Sequence, residues 1–246
     1  MRKNLILYFT LGFPDQGTLE SFSRRISQDE VDYVEFGFPS GNPVYDGPKI
    51  RGTHKTAMSN YRPEDGEKLF RDLLGKGIKL YSLTYYRDIR DDGGKFLSYL
   101  KREGFSGIIV PDLLVDYSDS AFSAIGRIHE AGLDFIPFFN PSTPDRIIKE
   151  ISSKTGSWIY YGLQPSTGIN VPFDTGEVAE RINELVPGRE INFGFGIRNN
   201  DQVRELVSYG ASGVAIGTAL IEMLSSGDEE AFYSYLKEMR GVLDGK

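Results

Sequence analysis

The chain has 246 residues with 39% hydrophobic and 26% charged residues, and its net charge of −7 excludes a broad nucleic-acid or anionic-membrane surface. One local anion site remains open to it, because backbone N–H groups at helix N-termini hold phosphate without lysines. Without cysteine there is no disulfide, thiolate metal site or cysteine nucleophile, and two histidines, His54 and His129, are a thin supply for zinc or a Ser-His-Asp triad.

The chain opens with MRKNLILYFTLGFPD, two basic residues and then an apolar run. The run is too short to span a membrane and no A-x-A site follows it, so it reads as the first strand of a cytoplasmic protein. Further runs rich in Ile, Val, Tyr and Phe then alternate with segments of helical period. The strands are expected at 5–10, 31–36, 79–83, 106–110, 133–139, 158–163, 191–195 and 213–216. Helices are expected at TLESFSRRIS, PEDGEKLFRDLLGKG, GGKFLSYLKREG, SAFSAIGRIHEAG and PDRIIKEISSK. The series continues with GEVAERINELV, NDQVRELVSYG, TALIEML and EEAFYSYLKEMRGVL. Four of these segments end in Gly just before a strand, as helix C-termini often do.

Eight β-runs with their helices in 246 residues predict a (β/α)8 barrel, an α/β fold. The first βα turn, TLGFPD, lacks the glycine fingerprint of a doubly wound sheet. No linker or composition shift divides the chain, so residues 1–246 are expected to form a single domain. Barrel active sites lie at the C-terminal ends of the strands, and candidate residues are sought there.

In VDYVEF, Tyr33 and Glu35 share one face, and Glu35 falls near the top of the barrel. Desolvation there would raise its pKa and fit it to exchange protons near neutrality, whereas pairing with Arg or Lys would make it a plain rim carboxylate. Asp46 follows in a long Gly- and Pro-rich connection; D-G is also a common turn pair, so a turn role stays open. PKIRGTHKTAMS reads as a short extra helix with Pro48 at its first position, and His54 within it as a structural or solvated residue. His129 reads as helix surface. The loop GLQPSTGINVPFD, 162–174, has the composition of a mobile lid. Gly196, and Gly217 with Thr218, stand where the last two strands hand over to helices, either as tight turns or as a backbone phosphate site. Tyr8, Phe138, Phe139, Tyr160, Tyr161 and Phe195 near strand ends give the mouth an aromatic character suited to a flat apolar ligand.

These segments together resemble the tryptophan synthase alpha chain family. EFGFPSGNPVYDGP is similar to its E-L-G-x-P-F-S-D-P-x-x-D-G-P, with the same spacing between the two acids. TLGFP resembles T-L-G-D-P, GFGIRNNDQV resembles G-F-G-I-x-x-x-x-Q-V, and GASGVAIGT resembles G-A-x-G-x-x-x-G-S, all in family order along nearly the whole chain. The resemblance implies a lyase that splits indole-3-glycerol phosphate into indole and glyceraldehyde 3-phosphate. It implies Glu35 as general acid/base and Asp46 as the partner of the indole N–H. Gly168, Gly196, Gly217 and Thr218 would bind phosphate, and Tyr8, Leu83, Tyr160, Thr167 and Phe195 would form the indole pocket. It implies no metal and no cofactor on this chain, with pyridoxal phosphate carried by a beta-chain partner in an alpha2-beta2 complex. Three features depart from the family: Asn42 replaces an acid in the partner-facing loop, loop six reads PSTGIN, and the helix usually preceding strand one has no counterpart here. The acid pair is intact, which favours an enzyme over a barrel kept only to bind a beta chain. The other rival, a different sugar-phosphate barrel enzyme, lacks a lysine at a strand tip for a Schiff base and histidines for a metal.

Overall fold

Alternation along the strands determines how this chain wraps. The computed structural model describes residues 2–164, 174–197 and 199–245. In chain order the strand segments are β1 (Asn4–Thr10), β2 (Tyr33–Gly37), β3 (Lys79–Leu83), β4 (Gly107–Ile109) and β5 (Asp134–Ile136). They continue with β6 (Phe138–Phe139), β7 (Ile159–Gly162), β8 (Ile191–Gly194) and β9 (Gly213–Ile216). All pair in parallel, in the order β5-β4-β3-β2-β1-β9-β8-β7-β6. The two ends of that order, β5 and β6, are consecutive in the chain, so the chain itself closes the ring.

The run expected as one strand over 133–139 is therefore two segments. Pro137 has no N–H to give to a ladder, while its carbonyl still accepts from Tyr160 N at 3.0 Å. β5 pairs with β4 and β6 with β7, so the break at Pro137 is where one strand changes neighbours.

The expected helices are present as α1 (Gln16–Ser23), α2 (Pro48–Asn60), α3 (Pro63–Gly75), α5 (Lys95–Arg102), α7 (Ala121–Glu130) and α8 (Asp145–Lys154). After them come α9 (Thr175–Leu185), α10 (Asn200–Ser208), α11 (Thr218–Ser226) and α12 (Glu229–Leu243). Two further four-residue turns, α4 (Tyr86–Ile89) and α6 (Leu113–Asp116), were not foreseen, because so short a helix leaves no 3.6-residue pattern to read. The extra helix α2 carries Pro48 in its first turn as expected. The four glycines that follow helices, Gly77, Gly104, Gly132 and Gly210, all have positive φ and let the chain turn back into a strand.

Side chains divide into two layers by parity. Leu5, Leu7, Phe9, Val34, Phe36, Leu80 and Ile108 point outward and form the main core beneath the helices. Ile6, Tyr8, Tyr81, Leu83, Ile109, Trp158, Tyr160 and Ala215 point inward and fill the barrel. The outer layer is aliphatic and phenylalanine-rich. The inner one is rich in tyrosine, whose ring is apolar and whose tip needs a partner.

Two features of the inner layer position the site. A Cβ on Gly37 would lie 2.2 Å from the Tyr8 hydroxyl, and one on Gly194 would lie 2.5 Å from that of Tyr160. Glycine at these two strand ends is what allows both phenols to reach across the barrel mouth. Phe139 and Tyr161 fall on the other parity, face the helix layer, and do not join the aromatic mouth expected of them. The Tyr161 hydroxyl accepts from Arg181 of α9 at 2.9 Å.

Candidate functional site

The strand register sets Tyr8, Glu35 and Tyr81 side by side on β1, β2 and β3. Glu35 is 1% exposed, and neither carboxyl oxygen has a hydrogen-bond partner among the described residues. It is not the rim ion pair that sequence left open. Burial disfavours its charged form, the nearby Asp46 adds repulsion, and together they push its pKa from 4.5 up to about 8. A carboxyl tuned this way can hold a proton at neutral pH and yield it to a substrate.

Asp46 is 2% exposed, and its backbone does make the turn that sequence left open. Its N–H donates to the Pro43 carbonyl at 3.1 Å, and its own carbonyl accepts from Arg51 Nε at 2.5 Å, so it shapes the turn. Its carboxylate is held separately: the Tyr85 hydroxyl donates to Oδ2 at 2.8 Å, and His54 Nε2 lies 3.5 Å from the same oxygen. Burial, then the Asp46 charge, raises the Tyr85 phenol far above its ordinary range, which keeps it a donor. Tyr8 and Tyr160 are likewise pushed up, chiefly by burial, and stay protonated.

A cavity of about 510 Å³, open mouth included, lies over the strand ends. Its two ends differ. Tyr8, Asp46, Leu83, Tyr160 and Phe195 make one wall, apolar and aromatic with a single acid. Gly196, Gly217 and Thr218 make the other, at the start of α11. That helix begins at Gly217 with no side-chain cap, whereas the neighbouring α10 is capped by Asn199, whose Oδ1 accepts from Gln202 N at 3.0 Å. Uncapped N–H groups at a helix start that lines a cavity are an arrangement able to hold a phosphate. Phe195, with φ of 55°, is the described non-glycine residue in the left-handed region, and such conformations gather at binding sites.

Eight of the residues named from sequence therefore line one cavity: Tyr8, Asp46, Leu83, Tyr160, Phe195, Gly196, Gly217 and Thr218. Glu35 does not line it. Its carboxyl sits close enough to Asp46, Tyr8 and Tyr160 to act on them electrostatically. Thr167 and Gly168, with most of the expected lid, lie outside the described residues. Of the two readings of His54, structural or solvated, the structure fits the first: it is 1% exposed, and it touches the Asp46 carboxylate. A signal for this was present, since Ile50, Thr53, His54 and Ala57 form the buried stripe of α2 at helical spacing. Tyr85 was also missed, although it continues the inward alternation of Tyr81 and Leu83. His129 is exposed on α7, as read from sequence. Among the described residues there is no cluster of three or more metal-ligating side chains.

The model of the tryptophan synthase alpha chain family matches residues 1–241. The chain belongs to the tryptophan synthase alpha chain family. It is similar to the tryptophan synthase alpha chain of Saccharolobus solfataricus, 33% identical over 99% of this chain and 98% of the relative. The alpha chain of Sulfurisphaera tokodaii is also 33% identical, over 99% of each. Among solved structures, a mutant tryptophan synthase alpha-subunit from Pyrococcus furiosus superposes with a TM-score of 0.81 at 27% identity, covering all of both chains. A chain from the a2b2 complex of tryptophan synthase of the same organism superposes with a TM-score of 0.79 at 26% identity, again over all of both chains. The (β/α)8 barrel expected from sequence is thus the fold of this alpha-chain family. No helix among the described residues is long and apolar enough to cross a membrane.

Proposed function

We propose that this alpha-family barrel is a carbon–carbon lyase that cleaves indole-3-glycerol phosphate to indole and glyceraldehyde 3-phosphate in tryptophan biosynthesis. The observation that carries the reading is the pair of buried carboxyls beside a two-ended cavity. One carboxyl is unpartnered with its pKa raised to about 8, and the other is held by a tyrosine. The phosphate would rest on the N–H groups at Gly196, Gly217 and Thr218, joined by Gly168. The indole ring would lie among Tyr8, Leu83, Tyr160, Phe195 and Thr167.

The chemistry needs one proton in and one out. Protonated Glu35 gives its proton to the ring carbon that bears the side chain, and the positive charge that forms is shared with the ring nitrogen. The Asp46 carboxylate accepts a hydrogen bond from that N–H and stabilises the cation; in a buried site such preorganised charge counts for more than in water. Glu35, now ionised, takes the proton of the neighbouring side-chain hydroxyl. As the C=O forms, the carbon–carbon bond breaks, its electron pair returns to the ring, and glyceraldehyde 3-phosphate departs. Indole is left neutral and Glu35 is protonated again, so the cycle closes with no other reagent.

In this reading residues 1–246 form one catalytic domain working in the cytoplasm, with no metal or cofactor of its own. Its partner is a beta chain carrying pyridoxal phosphate, in an alpha2-beta2 complex of the type seen for the Pyrococcus furiosus enzyme. The test is indole release from indole-3-glycerol phosphate by the purified chain, with and without a beta chain, beside Glu35→Gln. Indole that forms with wild type and is lost in the variant supports the reading; no indole under either condition overturns it.

A further inference from the structure

His54 is buried against Tyr8 and Asp46 of the pocket wall, and the hydrogen bonds around it leave no freedom of direction. At one end the Thr53 hydroxyl donates to the Ile50 carbonyl at 2.7 Å, which uses its only hydrogen. The Thr10 hydroxyl, 2.6 Å from that of Thr53, must therefore donate to it. The Tyr8 hydroxyl, 3.1 Å from Thr10 Oγ1, must in turn donate to Thr10. Tyr8 is then an acceptor toward His54 Nε2 at 3.3 Å, and Nε2 must carry the hydrogen. The other end gives the same answer: the Ser40 backbone N–H donates to His54 Nδ1 at 3.1 Å, which requires a lone pair there. Both ends fix the neutral ring as the Nε2–H tautomer.

That hydrogen points between two pocket residues, the Tyr8 hydroxyl at 3.3 Å and Asp46 Oδ2 at 3.5 Å. The second distance is too long for a strong hydrogen bond, but in a site this dry the N–H dipole still favours the carboxylate. We propose that His54 is a positioning residue, which fixes Asp46 and Tyr8 at the barrel mouth by sharing its Nε2–H between them while its Nδ1 anchors the Asp46 loop through Ser40. The inference rests on the reading of Asp46 above. It gives α2 a function: the helix brings to the loop an imidazole that ties β1, the loop after β2 and the pocket into one unit. Tyr8, its hydrogen committed to Thr10, meets a ligand as an acceptor.

The test uses the full chain and three readouts. The first is the ring-nitrogen NMR spectrum of the native protein, assigned with His129→Gln because the chain has two histidines; Nε2 protonated with Nδ1 bare is expected. The second compares His54→Gln, whose amide N–H₂ reaches the Nε2 position, with His54→Asn, which can replace only Nδ1. Judged by what a hydrogen bond to a charged group contributes, His54→Asn should lower kcat for indole release by about tenfold with KM little changed, and His54→Gln should recover most of it. The third repeats His54→Asn in an Asp46→Asn background, where the loss should vanish. A hydrogen on Nδ1, a full kcat in His54→Asn, or a loss undiminished without the Asp46 carboxylate would each overturn the proposal. If His54→Asn fails to fold, the ring spectrum and His54→Gln still decide. Failure of the functional reading itself looks different: wild type would then release no indole.

Discussion

Two glutamates face into opposite ends of this barrel. At the N-terminal end, Glu190 Oε1 accepts from Asn4 Nδ2 at 2.7 Å and from Asn192 Nδ2 and the Tyr33 hydroxyl at 3.4 Å each. Around it Tyr33 stacks on Trp158 with centroids 6.0 Å apart, and Trp158 meets Tyr81 edge-on at 5.3 Å. At the C-terminal end Glu35 has no partner among the described residues, beside a cavity rather than a packed plug. One end satisfies its acid and gains rigidity. The other leaves its acid unsatisfied, which costs stability and leaves a proton available.

That contrast can be broken from either end. The largest effect is expected for Glu35→Gln: indole release should fall by about 10²–10⁴-fold, the usual contribution of a general acid/base, while the fold is retained. Next is Asp46→Asn, which removes the charge facing the developing cation. It should cost roughly 10²-fold in kcat, measured in the same assay, because a preorganised electrostatic contact of this kind contributes about that much. The third concerns stability against pH. A carboxyl whose pKa rises from 4.5 unfolded to about 8 folded binds its proton more tightly in the native state, so its contribution is fully present below pH 4.5. It is lost as pH rises from 4.5 to about 8, at up to about 1.4 kcal/mol per pH unit, and denaturant melts of Glu35→Gln should lack this decline. The smallest effect on activity belongs to the other end. Glu190→Ala should lower unfolding free energy by about 0.5–1.5 kcal/mol, since half-buried hydrogen bonds are lost while Asn4 Nδ2 still donates to Asn192 Oδ1, and leave kcat within about twofold.

How far the sequence reached follows from the same physics. Strand parity was legible along β2, where it set Glu35 on the face of Tyr33, while Tyr8 and Tyr160 were found by their nearness to strand ends and Leu83 by the family resemblance; all four lie on the inward side. The order of the acids and glycines was legible as motif. The break at Pro137 was not, because LDFIPFF reads equally well as one strand until its two halves must pair with different neighbours. Phe139 and Tyr161 were placed at the mouth from proximity to strand ends, where parity should have decided. His54 lay in a helix that is polar overall, so its burial was masked by composition and visible only in the spacing from Ile50 to Ala57.

The central claim is that Glu35 holds its proton at neutral pH because it is buried and no described residue satisfies its charge. The direct measurement is a pH titration of the Glu35 carboxyl in the intact protein by carbon-13 NMR, with Glu35→Gln to identify its signal. The account predicts a midpoint near 8. A midpoint near the ordinary 4.5 would mean that the carboxyl is ionised at neutrality, and would contradict its role as the acid that starts the cleavage.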